Sequence, residues 1–426
     1  MINRNIPPKF QTIKTIELKS PVEKKFSNDI PVFVFSSNKV DLIRVEFAFT
    51  NLYDDREFSL LNNALNSLLK EGSKKYSSSE IAEKIDYFGA YLVPEFNVDR
   101  MSLSLFCMRK HLSDILPLVK ELLTEAIFPE EELAVFVRNT QQQILVSLEK
   151  NDILSQREFN KQIFGENRYG SQYVPEDLLK IERPDLLALY EAQVHEKNCT
   201  VFVSGNVLDE DLKLINDLFA NDWFKRETRE STFQDADVHF PEFKPKEVRL
   251  HKKDSIQASI RLGKRCVQRS HPDFPAIQFT NMVLGGYFGS RLMKNIREDK
   301  GYSYGIGSGL RSLRHLGIFG ISTQVGTEYV EATVQEIHKE LDILCTDLLS
   351  PSELELVRNY MMGAFVRSLS SIFSHADKYK AVYYSSLDMD YYQRYIQEIQ
   401  SISSSKVREI AQKYFQKESL STIIVS

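Results

Sequence analysis

The sequence predicts an α+β fold of two homologous domains, each a mainly antiparallel β-sheet covered by α-helices. Residues 30–50 alternate apolar and polar side chains, residues 58–70 change to helical spacing, and the order of elements in the first half returns in the second. The 426 residues suit two domains of about 200 residues each. We expect an N-terminal domain over 1–225, a linker over 226–246 and a C-terminal domain over 247–426.

The composition of the chain excludes several classes of protein. Hydrophobic residues make up 42% and charged residues 27%, so both halves can bury a core, and a formal charge of −5 argues against a nucleic-acid partner. The chain shows no apolar run of 18 residues and no signal-peptide pattern at its start, so we expect no membrane partner. The four cysteines lack CxxC spacing, which predicts reduced thiols and a cytoplasmic location. They are Cys107, Cys199, Cys266 and Cys345.

The first elements follow from local signals. Two strands within 30–50 are separated by SSNKVD, and the helix that follows ends at Gly72. Ser77 and Glu80 form a capping-box pattern that begins a second helix, and Gly89 ends it. The first helix has one apolar face. Its members are Leu60, Leu61, Ala64, Leu65, Leu68 and Leu69.

The rest of the first half continues this alternation of strands and helices. We expect strands near 91–98 and 100–108, helices across 111–164 and 177–195, and a strand over 199–206.

The second half follows a helix at 208–219 and a charged stretch, 225–247, that has no periodicity and is interpreted as the linker. Strands near 247–265, a helix near 273–284 and strands to about residue 325 repeat the earlier order before the final helices and strand.

The repeat is visible in the letters. KELLTEAIFPEEELAVFVRN (120–139) parallels KELDILCTDLLSPSELELVRN (339–359), and VFVSGN (201–206) parallels the closing STIIVS (421–426). Two matches at nearly the same offset favour an internal duplication.

Common catalytic motifs are missing from the sequence. The eight histidines include no pair at i, i+4, so a metal site within this chain is not expected. No GxSxG motif is present, and GIGSG at 305–309 follows a helix, whereas a dinucleotide-binding loop precedes one.

The stretch 284–309, LGGYFGSRLMKNIREDKGYSYGIGSG, is the candidate site. Gly285, Gly286 and Gly289 allow either a close approach to another chain or a tight turn between helices. Leu292 is one of the apolar residues, with Ile296, that should bury the short helix in this stretch.

Arg297 and Tyr304 are the candidate chemical groups. They can converge across Gly301, where a guanidinium and a phenol would hydrogen-bond a peptide carbonyl and stabilise negative charge on it. The alternative is a surface charge at a helix end and an ordinary strand aromatic.

These letters resemble a known family. GGYFGSRLMKNIREDKGYSYGIGSG resembles the C-terminal domain signature of the pitrilysin and mitochondrial-processing-peptidase family, the zinc peptidases with an inverted H-x-x-E-H motif. LLKEGSKKYSSSEIAEKIDYFGAYL, residues 68–92, is similar to the segment after that family's zinc motif. The resemblance extends over nearly the whole chain.

The resemblance also exposes a departure. It places the two motif histidines on Asn63 and Ser67, the catalytic glutamate on Asn66, and the third zinc ligand on Gln143. None of these side chains is an anionic or imidazole ligand, so we expect no catalytic metal in this chain and no activity of the chain alone.

The resemblance implies a role without zinc. Some relatives work as two-chain enzymes in which one subunit keeps the motif and the other contributes substrate-binding residues, which correspond here to Arg297 and Tyr304, with Tyr302 less favoured. Gly285, Gly286 and Gly289 correspond to a candidate substrate loop.

Two readings follow. In the first, the chain is a noncatalytic subunit that binds peptides or unfolded protein and pairs with a homologue that holds the zinc, or with itself. In the second, it is a structural or peptide-binding scaffold with no proteolytic role.

Overall fold

The computed structural model describes residues 16–54, 56, 58–220, 232–235 and 237–426. Its strands are β1 (Val22–Lys25), β2 (Pro31–Ser36), β3 (Leu42–Thr50), β4 (Tyr91–Phe96), β5 (Arg100–Met108), β6 (Cys199–Gly205), β7 (Glu247–Leu250), β8 (Gln257–Cys266), β9 (Ile306–Ser312), β10 (Gly317–Gly326) and β11 (Ser421–Val425). Its α-helices are α1 (Ser59–Leu68), α2 (Ser78–Tyr87), α3 (Leu112–Glu125), α4 (Glu130–Leu148), α5 (Asn151–Phe164), α6 (Arg183–Gln193), α7 (Asp209–Phe219), α8 (Phe274–Asn281), α9 (Val330–Thr346), α10 (Pro351–Arg367), α11 (Ile372–Tyr383), α12 (Asp390–Ser401) and α13 (Ser404–Tyr414).

The strands form two sheets with matching topology. The N-terminal sheet has the order β1-β2-β6-β3-β5-β4, and the C-terminal sheet has the order β7-β11-β8-β10-β9. Both are antiparallel except at one place, where β2 pairs with β6 and β7 pairs with β11 in parallel. Five strands of each sheet therefore correspond in order and direction. The predicted α+β fold with two similar halves is confirmed.

The N-terminal core is built on β3, which lies within the predicted region of alternating side chains. On β3, Ile43, Val45, Phe47 and Phe49 point into one core, which the apolar face of α1 and the helices α3, α6 and α7 complete. The alternate residues of β3 are also buried, so this central strand is covered on both faces.

The predicted capping box forms at α2. The Ser77 hydroxyl accepts a hydrogen bond from the backbone N–H of Glu80, and the Glu80 carboxylate accepts one from the Ser77 N–H at 2.8 Å. Two groups that the start of a helix leaves unpaired are thereby satisfied.

Each sheet carries a helix from the opposite half on its second face. Helix α11 packs Ile372, Ala376, Tyr379 and Val382 onto Phe33, Phe35 and Phe202 of the N-terminal sheet. Helix α5 packs Phe159 and Ile163 onto Ile318 and Ile423 of the C-terminal sheet. The two halves therefore complete each other's hydrophobic layers.

Polar contacts fix both crossed helices. Arg44 on β3 lies 2.9 Å from the Asp377 carboxylate on α11, and Arg261 on β8 donates to the Ser155 hydroxyl on α5 at 3.0 Å. The two arginines occupy comparable central strands, so the crossed packing is similar in both directions.

Two boundaries differ from expectation near the candidate site. Helix α8 ends at Asn281 and continues as wider π-helical turns over Met282–Gly286, and Tyr304 precedes β9 instead of lying inside a strand. Glycines and polar residues in these segments allow the local changes, and the apolar residues around them stay buried.

The domain boundaries stay a prediction, since residues 226–231 and 236 of the expected linker lie outside the described residues. The cysteines are free thiols, two of them buried. Among the described helices, none is both long and apolar enough to cross a membrane.

Candidate functional site

Helix α1 carries the three positions at which the resemblance places H-x-x-E-H. Asn63 and Ser67 are one turn apart and half-buried, so their side chains share a face of the helix. Asn66 is 4% exposed, and its amide oxygen has no hydrogen-bond partner in the described part of the chain. The helix thus retains the spacing of a zinc motif while its side chains are neutral.

Gln143, the position of the third ligand, lies on α4, which packs against α1. Its side chain is exposed and, as a neutral amide, is a poor zinc ligand. Within the described ranges, no group of three or more His, Cys, Asp or Glu residues could hold a metal ion.

A cavity of about 630 Å³ lies near the start of α1, a feature without a signal in the sequence. Tyr173 lines this cavity. Its hydroxyl accepts a hydrogen bond from the Ser59 N–H at 3.1 Å and shares a second hydrogen bond with the Ser59 hydroxyl. Phe58 packs edge-on against the Tyr173 ring, so this side of α1 is held in place by contacts across the chain.

In the candidate stretch, Gly285 has a packing role. It is buried, and a Cβ atom there would lie 2.6 Å from Ser308 Oγ and 2.7 Å from Ser308 N on β9. Gly286 also lies in the wider turns, whereas Gly289 sits in an exposed turn beside Phe288. A substrate-loop role for these three glycines stays a prediction.

Arg297 lies on the second π-helical segment, Met293–Asp299, whose Leu292 and Ile296 neighbours are fully buried as expected. Its guanidinium carbon is 4.5 Å from the centre of the Phe288 ring, a cation–π contact. Phe288 is 63% exposed. The sequence analysis missed this residue, although its place between two flexible glycines was a signal.

Tyr304 is 93% exposed. The loop that carries it is fixed by the Ser303 hydroxyl, which donates to Gln324 O at 2.7 Å, and by the Thr323 hydroxyl, which donates to Gly305 O at 2.9 Å. The backbone of the loop is therefore held while the phenol projects into solvent.

Arg297 and Tyr304 do not bond each other. In the described part, neither side chain makes a hydrogen bond or salt bridge, so their donors are available to a ligand. Tyr302 is different, because its ring stacks on Tyr329 at 4.8 Å and is half-buried. That contact favours Tyr304 as the ligand-facing tyrosine.

A cavity of about 350 Å³ adjoins Tyr304 and is lined by both halves. Helix α5 contributes Asp152, and β8 contributes Arg261, whose pKa is lowered by burial. Among described residues, no hydrogen bond, salt bridge or ring contact joins Arg297 or Tyr304 to the four substituted zinc positions.

A family model described as the peptidase M16 inactive domain matches residues 180–361. The chain is a homologue of the M16 peptidases. The expected resemblance to this zinc-peptidase family is confirmed, and the matching model describes an inactive domain.

Two relatives of this M16 homologue differ in what their names state. It is 23% identical over 321 residues to the "Uncharacterized zinc protease YmxG" of Bacillus subtilis, covering 75% of this chain and 76% of the relative. It is 23% identical over 367 residues to the "Non-peptidase homolog YmxG" of Helicobacter pylori, covering 84% of this chain and 82% of the relative.

Solved structures share the fold of the M16 homologue. A peptidase M16 inactive domain from Pseudomonas fluorescens matches with a TM-score of 0.84 at 19% identity, covering 95% of this chain and 98% of that chain. A chain of complex III2 from Candida albicans matches with a TM-score of 0.74 at 13% identity, covering 95% of each.

Proposed function

We propose that the M16 homologue is the noncatalytic, substrate-binding subunit of a two-chain zinc peptidase. Its partner would be a homologue that carries H-x-x-E-H and holds the zinc. One observation carries the proposal: the half-buried Arg297 and the exposed Tyr304 have side-chain donors without a hydrogen-bond partner in the described residues, whereas the zinc positions of the same chain have neutral side chains.

In this function the two side chains act on a bound peptide. Arg297 donates from a position partly fixed by Phe288, and Tyr304 donates from a loop with a fixed backbone. Both donors can hydrogen-bond a peptide carbonyl and stabilise the negative charge that develops on its oxygen during hydrolysis, for which the partner's zinc would supply the Lewis-acid chemistry. The partner supplies the zinc chemistry, and this chain supplies binding and polarisation.

The substrate class is a peptide or an unfolded protein segment. Donors on a π-helical segment and on the loop that follows it suit an extended chain, whose backbone carbonyls are accessible without prior unfolding. We place the pair in the cytoplasm, which the four free cysteines support.

The proposal is tested in a reconstituted pair with the H-x-x-E-H homologue from the same organism. The double variant Arg297→Ala/Tyr304→Phe should lower kcat/KM for peptide cleavage by about 10²-fold, the size of effect typical of lost carbonyl-polarising donors. Binding of the two chains should not change.

A matched control removes the same groups elsewhere. Arg367 and Tyr87 are exposed and lie outside the candidate stretch, so Arg367→Ala/Tyr87→Phe should cleave like the unmodified pair. Unchanged cleavage by the Arg297/Tyr304 variant, or failure of affinity purification to recover any H-x-x-E-H homologue, would exclude the proposal.

The alternative function is a scaffold without proteolysis. The likeness to a chain of complex III2 favours it, because that fold occurs there within a large assembly. Zinc-dependent peptide cleavage by a purified assembly that contains this chain would decide against the scaffold.

A further inference from the structure

A cavity of about 740 Å³ lies where the two halves meet, and positive charge dominates its walls. The turn from β4 to β5 contributes Asp99 and Arg100. The segment after β8 contributes Arg269, and the β9–β10 hairpin contributes Arg311 and Arg314. We call this space the arginine cavity.

Most of these arginines lack an acidic partner. Arg314 is paired, since its guanidinium lies 2.7 and 2.6 Å from the two oxygens of Asp235. Arg100, Arg269 and Arg311 have no carboxylate oxygen within 4.0 Å in the described ranges. Three guanidinium groups therefore face one cavity without a counter-charge in direct contact.

The nearest carboxylate is already engaged. Asp99 is 8% exposed, accepts a hydrogen bond from the Tyr169 hydroxyl with one oxygen, and accepts the Arg314 backbone N–H at 3.2 Å with the other. It is the sole acidic residue among the described lining residues. One engaged carboxylate cannot neutralise three arginines.

The cavity is also partly desolvated. Burial lowers the pKa of Arg100, whereas Tyr384 and Asp99 raise it by less, and the charge of Arg314 lowers it. The Arg100 guanidinium carbon lies 3.8 Å from the Tyr384 ring centre. Arg269 Nε and His315 Nε2 are buried, and neither has a hydrogen-bond partner in the described part. A buried guanidinium Nε without an acceptor, as at Arg269, is costly in such surroundings, and a bound anion would offset that cost.

We propose that the arginine cavity binds a small ligand with two or more linked phosphate groups, which accepts hydrogen bonds from Arg100, Arg269 and Arg311. The planar donor array of arginine matches phosphate oxygens, and the volume lies within the range of small-molecule pockets. Since both halves line the cavity, the ligand would connect the β4–β5 turn to the β9–β10 hairpin. This site is separate from the Arg297/Tyr304 stretch and does not depend on proteolysis.

Titration calorimetry of the full chain with inorganic triphosphate, at constant ionic strength, tests the site. We expect saturable binding of one triphosphate per chain. Arg311→Gln should raise Kd about tenfold or more, the effect of losing one charge-assisted hydrogen bond. Arg311 is exposed and makes no side-chain contact with a described carboxylate, so this variant should keep the fold.

Two further variants separate the cavity from general charge. Arg269→Gln should also raise Kd about tenfold or more, and its melting temperature without ligand reports any damage to the fold. Arg367→Gln removes the same charge from an exposed site on α10 and should leave Kd unchanged. Equal weakening by all three variants would overturn the proposal, as would the absence of saturable binding.

A nucleoside triphosphate forms a second arm of the experiment. Equal affinity for inorganic triphosphate and ATP would support the proposal with recognition of the phosphate chain alone. Tighter binding of ATP, still lost in Arg311→Gln, would support it with additional contacts to the nucleoside. Binding of ATP that is unaffected by Arg269→Gln and Arg311→Gln would place the ligand elsewhere and overturn it.

Discussion

Arg297 and Tyr304 are held to different degrees by their surroundings. The Phe288 ring restrains the Arg297 guanidinium, whereas the Tyr304 ring is 93% exposed. On binding a peptide, Tyr304 would lose rotamer freedom at a cost of about 0.5–1.5 kcal/mol, and Arg297 would lose less. Arg297 is therefore the better prearranged of the two donors.

Gly285 offers a test of packing at one residue. Gly285→Ala should lower the free energy of unfolding by about 1–3 kcal/mol, because the new methyl group would overlap Ser308 on β9. Urea denaturation followed by circular dichroism measures the change.

Gly309→Ala is the control, since no atom lies within 4 Å of a Cβ built there. It should change stability by less than about 1 kcal/mol. Equal effects at the two glycines would contradict the close approach of the turn to β9.

At the residue scale, the sequence predicted burial better than it predicted contacts. Leu292 was correctly expected to be buried, and the roles of Arg297 and Tyr304, which the family resemblance implied, stay predictions. The ring of Phe288 beneath Arg297 and the Ser308 contact at Gly285 depend on the path of the turn, which local spacing does not encode.

Among the elements, α1 carries the positions that the family resemblance assigns to a zinc motif, with neutral side chains in place of its ligands. Its apolar face anchors it in the core, and α4 packs beside it. A helix fixed in this way should accept restored ligands without changing its position.

The quadruple variant Asn63→His/Asn66→Glu/Ser67→His/Gln143→Glu should bind one zinc per chain, because it recreates two histidines at i, i+4 and a glutamate on the neighbouring helix. Metal analysis after dialysis against zinc-free buffer measures the stoichiometry.

A matched variant carries Gln142→Glu in place of Gln143→Glu, so its carboxylate leaves α4 in a different direction. It should bind zinc at least tenfold more weakly. Similar zinc content in the two proteins would show that Gln143 is not the equivalent of the third ligand.

Elements with strong local signals were predicted well, and those shaped by distant contacts were not. The Ser77–Glu80 capping box forms as expected, because its partners are three residues apart. The helix expected near 273–284 ends as an α-helix at Asn281 and continues as π-helical turns, which pack against β9.

Across the whole molecule, the crossed helices make the two halves interdependent. The sequence indicated an internal duplication, but an apolar helix face does not identify the sheet that it covers. Phe202 of the N-terminal sheet is covered by α11 from the C-terminal half. Phe159 on α5 of the N-terminal half covers the C-terminal sheet. The sequence therefore did not predict which sheet each of these helices covers.

Separating the halves tests that dependence. Residues 1–225 expressed alone should expose Phe33, Phe35 and Phe202, bind a hydrophobic dye and lack a cooperative thermal transition. Addition of residues 226–426 should restore the transition and release the dye. Cooperative unfolding of either half alone, with little dye binding, would show that each half is an independent domain.

The position of α11 also bears on synthesis at the ribosome. The last strand of the N-terminal sheet ends at Gly205, but the helix that covers its second face is complete only at Tyr383. At typical elongation rates of about 5–20 residues per second, that face stays uncovered for roughly 10–35 s. We expect a nascent chain with such a delay to bind chaperones, and dye binding by the isolated first half provides a measure of the surface that it exposes.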